Sequence, residues 1–514
     1  MRRSVLLGSV ALAASYMLPI IVLLGCTQGQ QNLGDQQNVN QKYSYGSPTG
    51  LTSSHWSFYT MLIPSTDPSS SPAPAPAPAP SPAPGTPAYP IAVSANKHYF
   101  VDANNQPYYM VADSVWALAT SLTPTQAVSY FQLRASQGFN AALIDAVNDG
   151  IIFGAPTNPN GNAPFTAKLP GSNAADLSKP NEAYWQDFDK IIRMAAQNHI
   201  LVIVNIYETY SATFSSGDGG SPNGDSPNSL ANFTAYGNFL GKRYVNYDNI
   251  MWMFGNDYQD NDRANNNMMA LFQGIRQYDT RHLFTLENGG DTITFWNTTM
   301  RPYLDANGIY MYYGHMGSES YRSHFLDQYS RADVAPTFNM ESDYDASPNG
   351  FAWELRMQHY VYLLSGSSGD WYGHDHVWGF QSDWQNVLTT QGTIEIGYFN
   401  TLRNSIPWTS LIPDQNGTVF TGIGGNTSSE YSGASTADGK LALAYKPKSG
   451  AGAQRFTVNM AAFSGAVTAK WYDPTNGTYI AIGSGLVNSG SKSFNTPTKN
   501  SAGDNDFVLV LTVL

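Results

Sequence analysis

The chain has 514 residues, too many for one ordinary core, and its 42% hydrophobic content supports more than one packed domain. A formal net charge of −12 and a pI near 5.1 argue against a nucleic-acid partner. The single cysteine excludes an intrachain disulfide and a cysteine-based zinc site.

Only 12% of the residues are charged, while 32 Tyr, 11 Trp and many Asn and Gly are present. This palette suits flat, hydroxyl-rich ligands such as sugars: rings stack on C–H faces and amides bond hydroxyls. A neutral polar extracellular surface has the same composition without binding any sugar.

Residues 1–26 read as an export signal. Arg2 and Arg3 begin it, Val5 to Leu24 is mostly apolar, and Leu23-Leu24-Gly25-Cys26 ends it. It resembles a bacterial lipoprotein signal, in which Cys26 is lipidated and becomes the mature N-terminus. An uncleaved membrane anchor is the alternative. Either reading puts the remainder outside the cytoplasmic membrane, in the cell envelope or secreted. Residues 27–90 form no domain: a Gln/Asn-rich part precedes Pro72 to Pro84, where Pro alternates with Ala or Ser as a semi-rigid polyproline spacer. The apolar island His55 to Ile63 has no place in this scheme.

From residue 91 to about 425, apolar runs alternate with helical patterns. Strands are expected at Tyr108 to Val111 (ending at Asp113), Asn140 to Val147, Ile200 to Ile206, Ile250 to Phe254, Leu283 to Leu286, Gly308 to Tyr313, Pro336 to Met340, and within Asp370 to Phe380. Helices are expected at Thr123 to Gln137, Tyr184 to Asn198, Leu230 to Tyr244, Asn265 to Tyr278, Tyr321 to Ser330 and Ala352 to Leu364. That order is the signature of a (β/α)8 TIM barrel. A doubly wound open sheet is the competing fold, but no Gly-rich phosphate fingerprint follows the first strand, and no cofactor is expected. After about Gly425 the helical patterns stop. Short strands between Gly/Asn/Ser/Pro turns make residues 431–514 a small all-β sandwich.

Residues just past the strand ends of a barrel converge on one mouth, where the chemistry of such folds sits. At the fourth strand the apolar run Ile250 to Phe254 gives way abruptly to Gly255-Asn256-Asp257. Those three residues also favour a simple turn. At the seventh strand end stands Glu341. Strand ends four and seven can face each other across a mouth, and retaining glycoside hydrolysis needs two carboxylates about 5–5.5 Å apart. Asp257 and Glu341 are therefore the catalytic candidates.

Other residues have two readings each. Asp113 and Trp116 could hold sugar hydroxyls and a ring face, or Asp113 could cap the next turn. Tyr313, His315, His374 and Trp378 could line the pocket or be satisfied core residues. Glu208 is a sugar ligand or part of a loop ion pair. Asp145, inside an apolar strand, reads as structural, and Glu287 is a secondary nucleophile candidate. His374 and His376 are too isolated from partner carboxylates for zinc, so no metal is expected.

Several stretches resemble the apiosidase-like barrels of glycoside hydrolase family 140: Phe100 to Trp116, Arg134 to Asn140, Asn249 to Asp257, Asn339-Met340-Glu341, Trp371 to Phe380, and Pro407-Trp408 followed by Leu411 to Asp414. Ala469 to Tyr479 resembles the collagen-binding-type β-domain that often follows these barrels. The resemblance implies a retaining, exo-acting glycosidase with Asp257 as acid/base and Glu341 as nucleophile, and a carbohydrate such as apiose-bearing pectin as substrate. The family commonly has Gly-Gly-Asp where this chain has Gly255-Asn256-Asp257. An Asn before the strand-four acid is the wider habit of retaining barrel glycosidases, where it bonds the sugar 2-hydroxyl. The competing reading is a surface-anchored protein that binds carbohydrate or matrix without catalysis.

Overall fold

The computed structural model describes residues 86–147, 157–209, 214, 226–258, 260–312, 320–347, 350–425, 430–450 and 452–513. Eight parallel strands follow one another: β1 (Met110–Ser114), β2 (Ala141–Asp145), β3 (Leu201–Asn205), β4 (Ile250–Tyr258), β5 (Phe284–Asn288), β6 (Asn307–Tyr310), β7 (Thr337–Glu341) and β8 (Gly369–Tyr372). Six of them form one ladder in the order β8-β1-β2-β3-β4-β5, and β6 pairs with β7. Backbone bonds from Asp305 N–H to Phe284 O (2.9 Å) and from Ser368 N–H to Thr337 O (2.7 Å) close the two seams. The result is the expected (β/α)8 barrel.

Helices α1 (Pro124–Ser136), α2 (Glu182–Gln197), α3 (Leu230–Tyr244), α4 (Asp262–Arg276), α5 (Tyr321–Tyr329), α6 (Ala352–Leu364) and α7 (Gln391–Asn404) follow every strand except β5. After β5 stand two single-turn 3₁₀ segments, Thr294–Trp296 and Arg301–Tyr303. Helix starts are set by side-chain caps. At α1 the Thr123 hydroxyl accepts from Gln126 N–H, the Gln126 side chain accepts from Thr123 N–H, and Pro124 fills the first turn. Helix α7 was absent from the sequence-based expectation. Its Gly392 and Gly397 and its Thr393-Ile394-Glu395-Ile396 alternation hide a helix that Thr390 caps.

Strands β1 to β4 are mostly apolar on both faces because both are buried. Met110, Ala112, Ala141, Leu143, Leu201, Ile203, Met251 and Met253 fill the interior. The alternate residues Ala142, Ile144, Val202, Val204, Ile250, Trp252 and Phe254 pack in the layer shared with the helices. A small antiparallel sheet (Ala92–Val93, Phe100–Val101, Pro107–Tyr108) precedes β1, and its Phe100 joins the interior cluster.

The antiparallel region contains β9 (Leu411–Pro413), β10 (Phe420–Thr421), β11 (Ser432–Thr436), β12 (Leu441–Tyr445), β13 (Arg455–Asn459), β14 (Val467–Asp473), β15 (Thr478–Leu486), β16 (Ser491–Asn495) and β17 (Val508–Val513). They form a six-stranded sheet, β9-β11-β12-β17-β14-β15, and a three-stranded sheet, β10-β13-β16. These sheets draw strands from Leu411 onward, ahead of the composition change near Gly425, because β9 pairs with β11. The near-continuous apolar runs of β12 and β17 have a reason. Leu441, Leu443, Tyr445, Val508 and Val510 face α6 and α7 of the barrel. Ala442, Ala444, Leu509 and Leu511 face the second sheet. Among the described residues, no helix is long and apolar enough to cross a membrane.

Candidate active site

Period-two alternation decides which strand-end residues reach the mouth. On β1, Met110 and Ala112 point inward, so Asp113 points outward with Val111. Asp113, expected at the mouth, is instead fully buried against α1, where its Oδ2 accepts from Arg134 Nε (2.6 Å) and from the Tyr130 hydroxyl (2.5 Å). It pins helix to barrel and faces no substrate. On β2 and β3 the inward parity falls on Asp145 and Asn205. Asn205 Nδ2 donates to Asp145 Oδ1 (2.9 Å) and to the Gly255 carbonyl (3.0 Å). Asp145 is thus structural, as its apolar surroundings in the sequence suggest.

The two candidate carboxylates are both delivered by β-bulges, irregularities that re-aim side chains. On β4, Gly255 lies opposite Glu287 and Tyr258 lies opposite Asn288, so Asn256 and Asp257 are extra residues. Gly255, Asn256 and Asp257 have φ of 94°, 117° and 53°. A left-handed backbone in non-glycine residues costs about 1–3 kcal/mol each, and such strain gathers at functional sites. Gly255 has no substitute here, since a Cβ would lie 2.1 Å from the Glu287 carbonyl oxygen. The bulge is tied down from β3 and the residues after it. Glu208 accepts from Asn256 Nδ2, and the Thr209 hydroxyl donates to the Asn256 carbonyl (3.0 Å). The Gly-Asn-Asp stretch is therefore turn-like and carboxylate-bearing at once, and the two sequence readings coincide.

On β7, Asn339 lies opposite Ile309 and Glu341 opposite Tyr310, which leaves Met340 as the extra residue. The bulge turns Glu341 toward the mouth. Its Oε1 accepts from the hydroxyls of Tyr310 (2.9 Å) and Tyr312 (2.8 Å), which are 2.7 Å from each other. Burial, then the nearby Asp257 charge, push the Glu341 carboxyl up to about 8, against the pull of the two tyrosines. Burial also raises Asp257, and the Tyr310 hydroxyl beside it pulls it down. Tyr310 thus acts on both carboxyl groups.

A third carboxyl lies with them. Glu287, near the end of β5, is 0% exposed, and neither of its oxygens meets a hydrogen-bond donor among the described residues. Burial raises its carboxyl strongly, and the charges of Glu341, Asp257, Glu208 and Asp145 add to the shift.

The aromatic wall differs in detail from the expectation. Trp116 and the half-buried Trp378 both belong to the interior cluster, and Trp116 Nε1 donates to the Tyr344 hydroxyl (3.0 Å). Burial raises the Tyr344 phenol, and the charges of Glu341 and Glu287 raise it further, so it lies within electrostatic reach of the carboxyls. His374 is buried, and its Nδ1 accepts from the His376 backbone N–H (3.0 Å), which turns it to its own loop. Tyr313 and His315 lie outside the described residues. Tyr310, Tyr312 and Tyr344 escaped the sequence reading. The first two could have been found: Tyr310 and Tyr312 are two apart and share one face of an extended chain. A groove of about 590 Å³ opens elsewhere, lined by Lys97, Arg301, Asp305, Asp333 and neighbours preceding β6 and β7. Its two acids are paired, Asp305 with Arg276 (3.3 Å) and Asp333 with Arg331 (3.0 Å), so it carries no candidate chemistry.

A (β/α)8 barrel with acidic residues gathered at the ends of β4, β5 and β7 is the framework of a glycoside hydrolase. The comparisons agree. Residues 94–410 match the model for the apiosidase-like catalytic domain, and the chain belongs to that family. Residues 412–512 match a model named for the collagen-binding domain of a collagenase. A solved structure titled a glycoside hydrolase superposes with a TM-score of 0.66 at 21% identity, covering 83% of this chain and 97% of that one. A glycoside hydrolase family 5 protein from Bacteroides vulgatus gives 0.66 at 22% identity, covering 82% and 93%. A further hydrolase-titled structure from the same organism gives 0.60 at 13% identity, covering 84% and 83%. At these identities the likeness concerns the fold. Among curated proteins none matches the sequence.

Proposed function

We propose that the protein is a retaining glycoside hydrolase acting on side chains of plant or microbial cell-surface polysaccharides, apiosidase-like, with Asp257 as acid/base and Glu341 as nucleophile. One observation carries the reading. The Tyr310 hydroxyl bonds Glu341 and also lies beside Asp257. The two carboxyls also act on each other, the Asp257 charge raising Glu341. Retention uses a close pair, about 5–5.5 Å apart; inversion needs room for a water, about 6.5–9.5 Å.

In the first step Asp257, whose carboxyl is raised by burial, gives its proton to the leaving glycosidic oxygen. The Glu341 carboxylate forms a bond to the anomeric carbon as the C–O bond breaks. In the second, Asp257 takes a proton from water, whose oxygen displaces Glu341. Asn256, oriented by Glu208, bonds the 2-hydroxyl of the sugar, and the half-buried Trp378 offers a ring face.

The test is hydrolysis of aryl glycosides and pectic oligosaccharides by wild type, Asp257→Ala and Glu341→Ala, with the product anomer read by NMR. Each variant should lose about 10²–10⁴-fold, and the first product should keep its configuration. Equal background in all three would leave a carbohydrate-binding protein. We also propose that Cys26 is lipidated and anchors the chain outside the cytoplasmic membrane. Labelling with a fatty-acid analogue should be lost in Cys26→Ala, and a label retained there would overturn the anchor.

A further inference from the structure

The mouth holds more carboxyl groups than it can keep ionised together. Asp145 from β2, Glu208 beyond β3, Asp257 from β4 and Glu341 from β7 all bear on Glu287 of β5, and all add negative charge. The phenols of Tyr310 and Tyr344 adjoin the same cluster, and both rise further through the Glu287 charge. Like charges this close cannot all ionise, so at least one proton stays in the cluster.

Glu287 is where the geometry puts that proton. A carboxylate only accepts hydrogen bonds. Glu287 is 0% exposed and receives none among the described residues, so its ionised form would be buried with nothing to offset its lost hydration. Its neutral form brings its own O–H, and of the carboxyls around it Glu341 bears on it most strongly. A contact between two carboxyls becomes a hydrogen bond only when one holds a proton. The position is also rigid: the Glu287 backbone lies under the Gly255 bulge, at a spacing that admits no Cβ. With no exposed surface, Glu287 does not meet an anomeric carbon itself.

We propose that Glu287 is a positioning residue that carries the resident proton of the cluster and donates it in a hydrogen bond to Glu341, leaving Glu341 the ionised member of the pair. The proposal rests on the reading of Glu341 as nucleophile. It answers a difficulty in that reading: burial and the Asp257 charge alone favour a protonated Glu341 near neutral pH, where a nucleophile has to be bare.

The test compares kcat/KM against pH for wild type, Glu287→Gln and Glu287→Leu on an aryl glycoside, with the unfolding midpoint of each. Glutamine keeps a neutral donor, so its maximum should stay within about threefold of wild type with the acid limb in place. Leucine removes the donor, so the acid limb should move up by about one unit, a tenfold loss on that limb. Infrared spectra at pH 7 should contain a protonated-carboxyl band that Glu287→Gln lacks, a readout that stands even if the leucine variant does not fold. Three results would overturn the proposal: an unmoved acid limb in the leucine variant, an infrared band unchanged by glutamine, or a hundredfold loss in a well-folded glutamine variant. Rescue of Glu287→Ala by azide, with formation of a glycosyl azide, would make Glu287 the nucleophile and also overturn it. Full activity of Glu341→Ala is a separate outcome and would sink the underlying reading instead.

Discussion

Two clusters of buried carboxylates stand in this molecule, and they are built on opposite terms. At the junction of barrel and antiparallel region, Arg356 of α6 is 2% exposed and meets an acid with every arm. Its Nε and Nη2 bond Asp506 (2.8 and 3.0 Å), Nη1 bonds Glu395 of α7 (2.7 Å) and Nη2 also reaches Asp504 (3.0 Å). The Tyr445 hydroxyl and Asn500 Nδ2 add further donors to Asp506 (2.8 and 2.9 Å). Asp113 with Arg134 is a smaller instance of the same plan. At the mouth, Asp257, Glu287 and Glu341 are brought together on strained or bulged backbone, and the charges that bear most strongly on Glu287 are all negative. Matched buried charge belongs to architecture. Unmatched buried charge lowers stability and persists where chemistry uses it.

The largest expected effect attacks the matched cluster. Arg356→Met leaves Glu395 and Asp506 without their cation and Asp504 with Lys448 alone (3.4 Å). Breaking a buried pair costs about 3–5 kcal/mol, so the unfolding midpoint should fall by on the order of 10 °C. Activity per folded molecule should stay at the wild-type level, because the mouth is untouched. A variant that keeps its midpoint would mean that the junction does not hold the two regions together.

The unmatched cluster should respond with the opposite sign. Burial, with the negative charges around it adding to the shift, raises the Glu287 carboxyl well above the usual carboxylate range. The folded state therefore keeps a proton that the unfolded chain gives up. Stability from this group is complete at acid pH, below the unfolded value, and is lost as pH rises through the raised folded value. Glu287→Gln has no such loss. It should match wild type at acid pH and gain on it as pH rises, by up to about 1.4 kcal/mol per pH unit. Denaturant melts at acid and alkaline pH check this. A variant that gains nothing on wild type as pH rises would put Glu287 with the matched carboxylates.

The contrast also explains what could be read from the residues alone. Alternating apolar runs and helix caps made the barrel legible, and short strands between turn residues did the same for the antiparallel region. Asp257 and Glu341 were legible because each follows an apolar strand at a position that a barrel turns to its mouth. Parity was the blind spot. Asp113 sits one residue out of phase with the interior, and no local signal separates it from a mouth acid. Bulges hide in the same way: Asn256 and Asp257 have turn-forming neighbours, but Met340 has none, and the ladder of the adjacent strand decides its slip. Glu287 was visible as a carboxylate, whereas its missing donors depend on four other strands. Tyr344, on a loop, carried no periodic signal.

The smallest effect falls on the boundary between the two plans. Trp116 is buried like a core residue, yet its indole N–H is spent on Tyr344, which borders Glu341. Trp116→Phe removes that one bond and keeps most of the ring. A neutral hydrogen bond contributes about 1 kcal/mol. If Trp116 belongs to the core, the loss should appear in the unfolding midpoint, with kcat/KM unchanged. If it belongs to the mouth, the freed Tyr344 hydroxyl can rotate toward the carboxyls, and kcat/KM should fall about fivefold with little change in the midpoint. We expect the second result, because the group that loses its partner faces the unmatched charges. A wild-type kcat/KM with a lowered midpoint would move the edge of the active site inward, past Tyr344, to the tyrosines that hold Glu341.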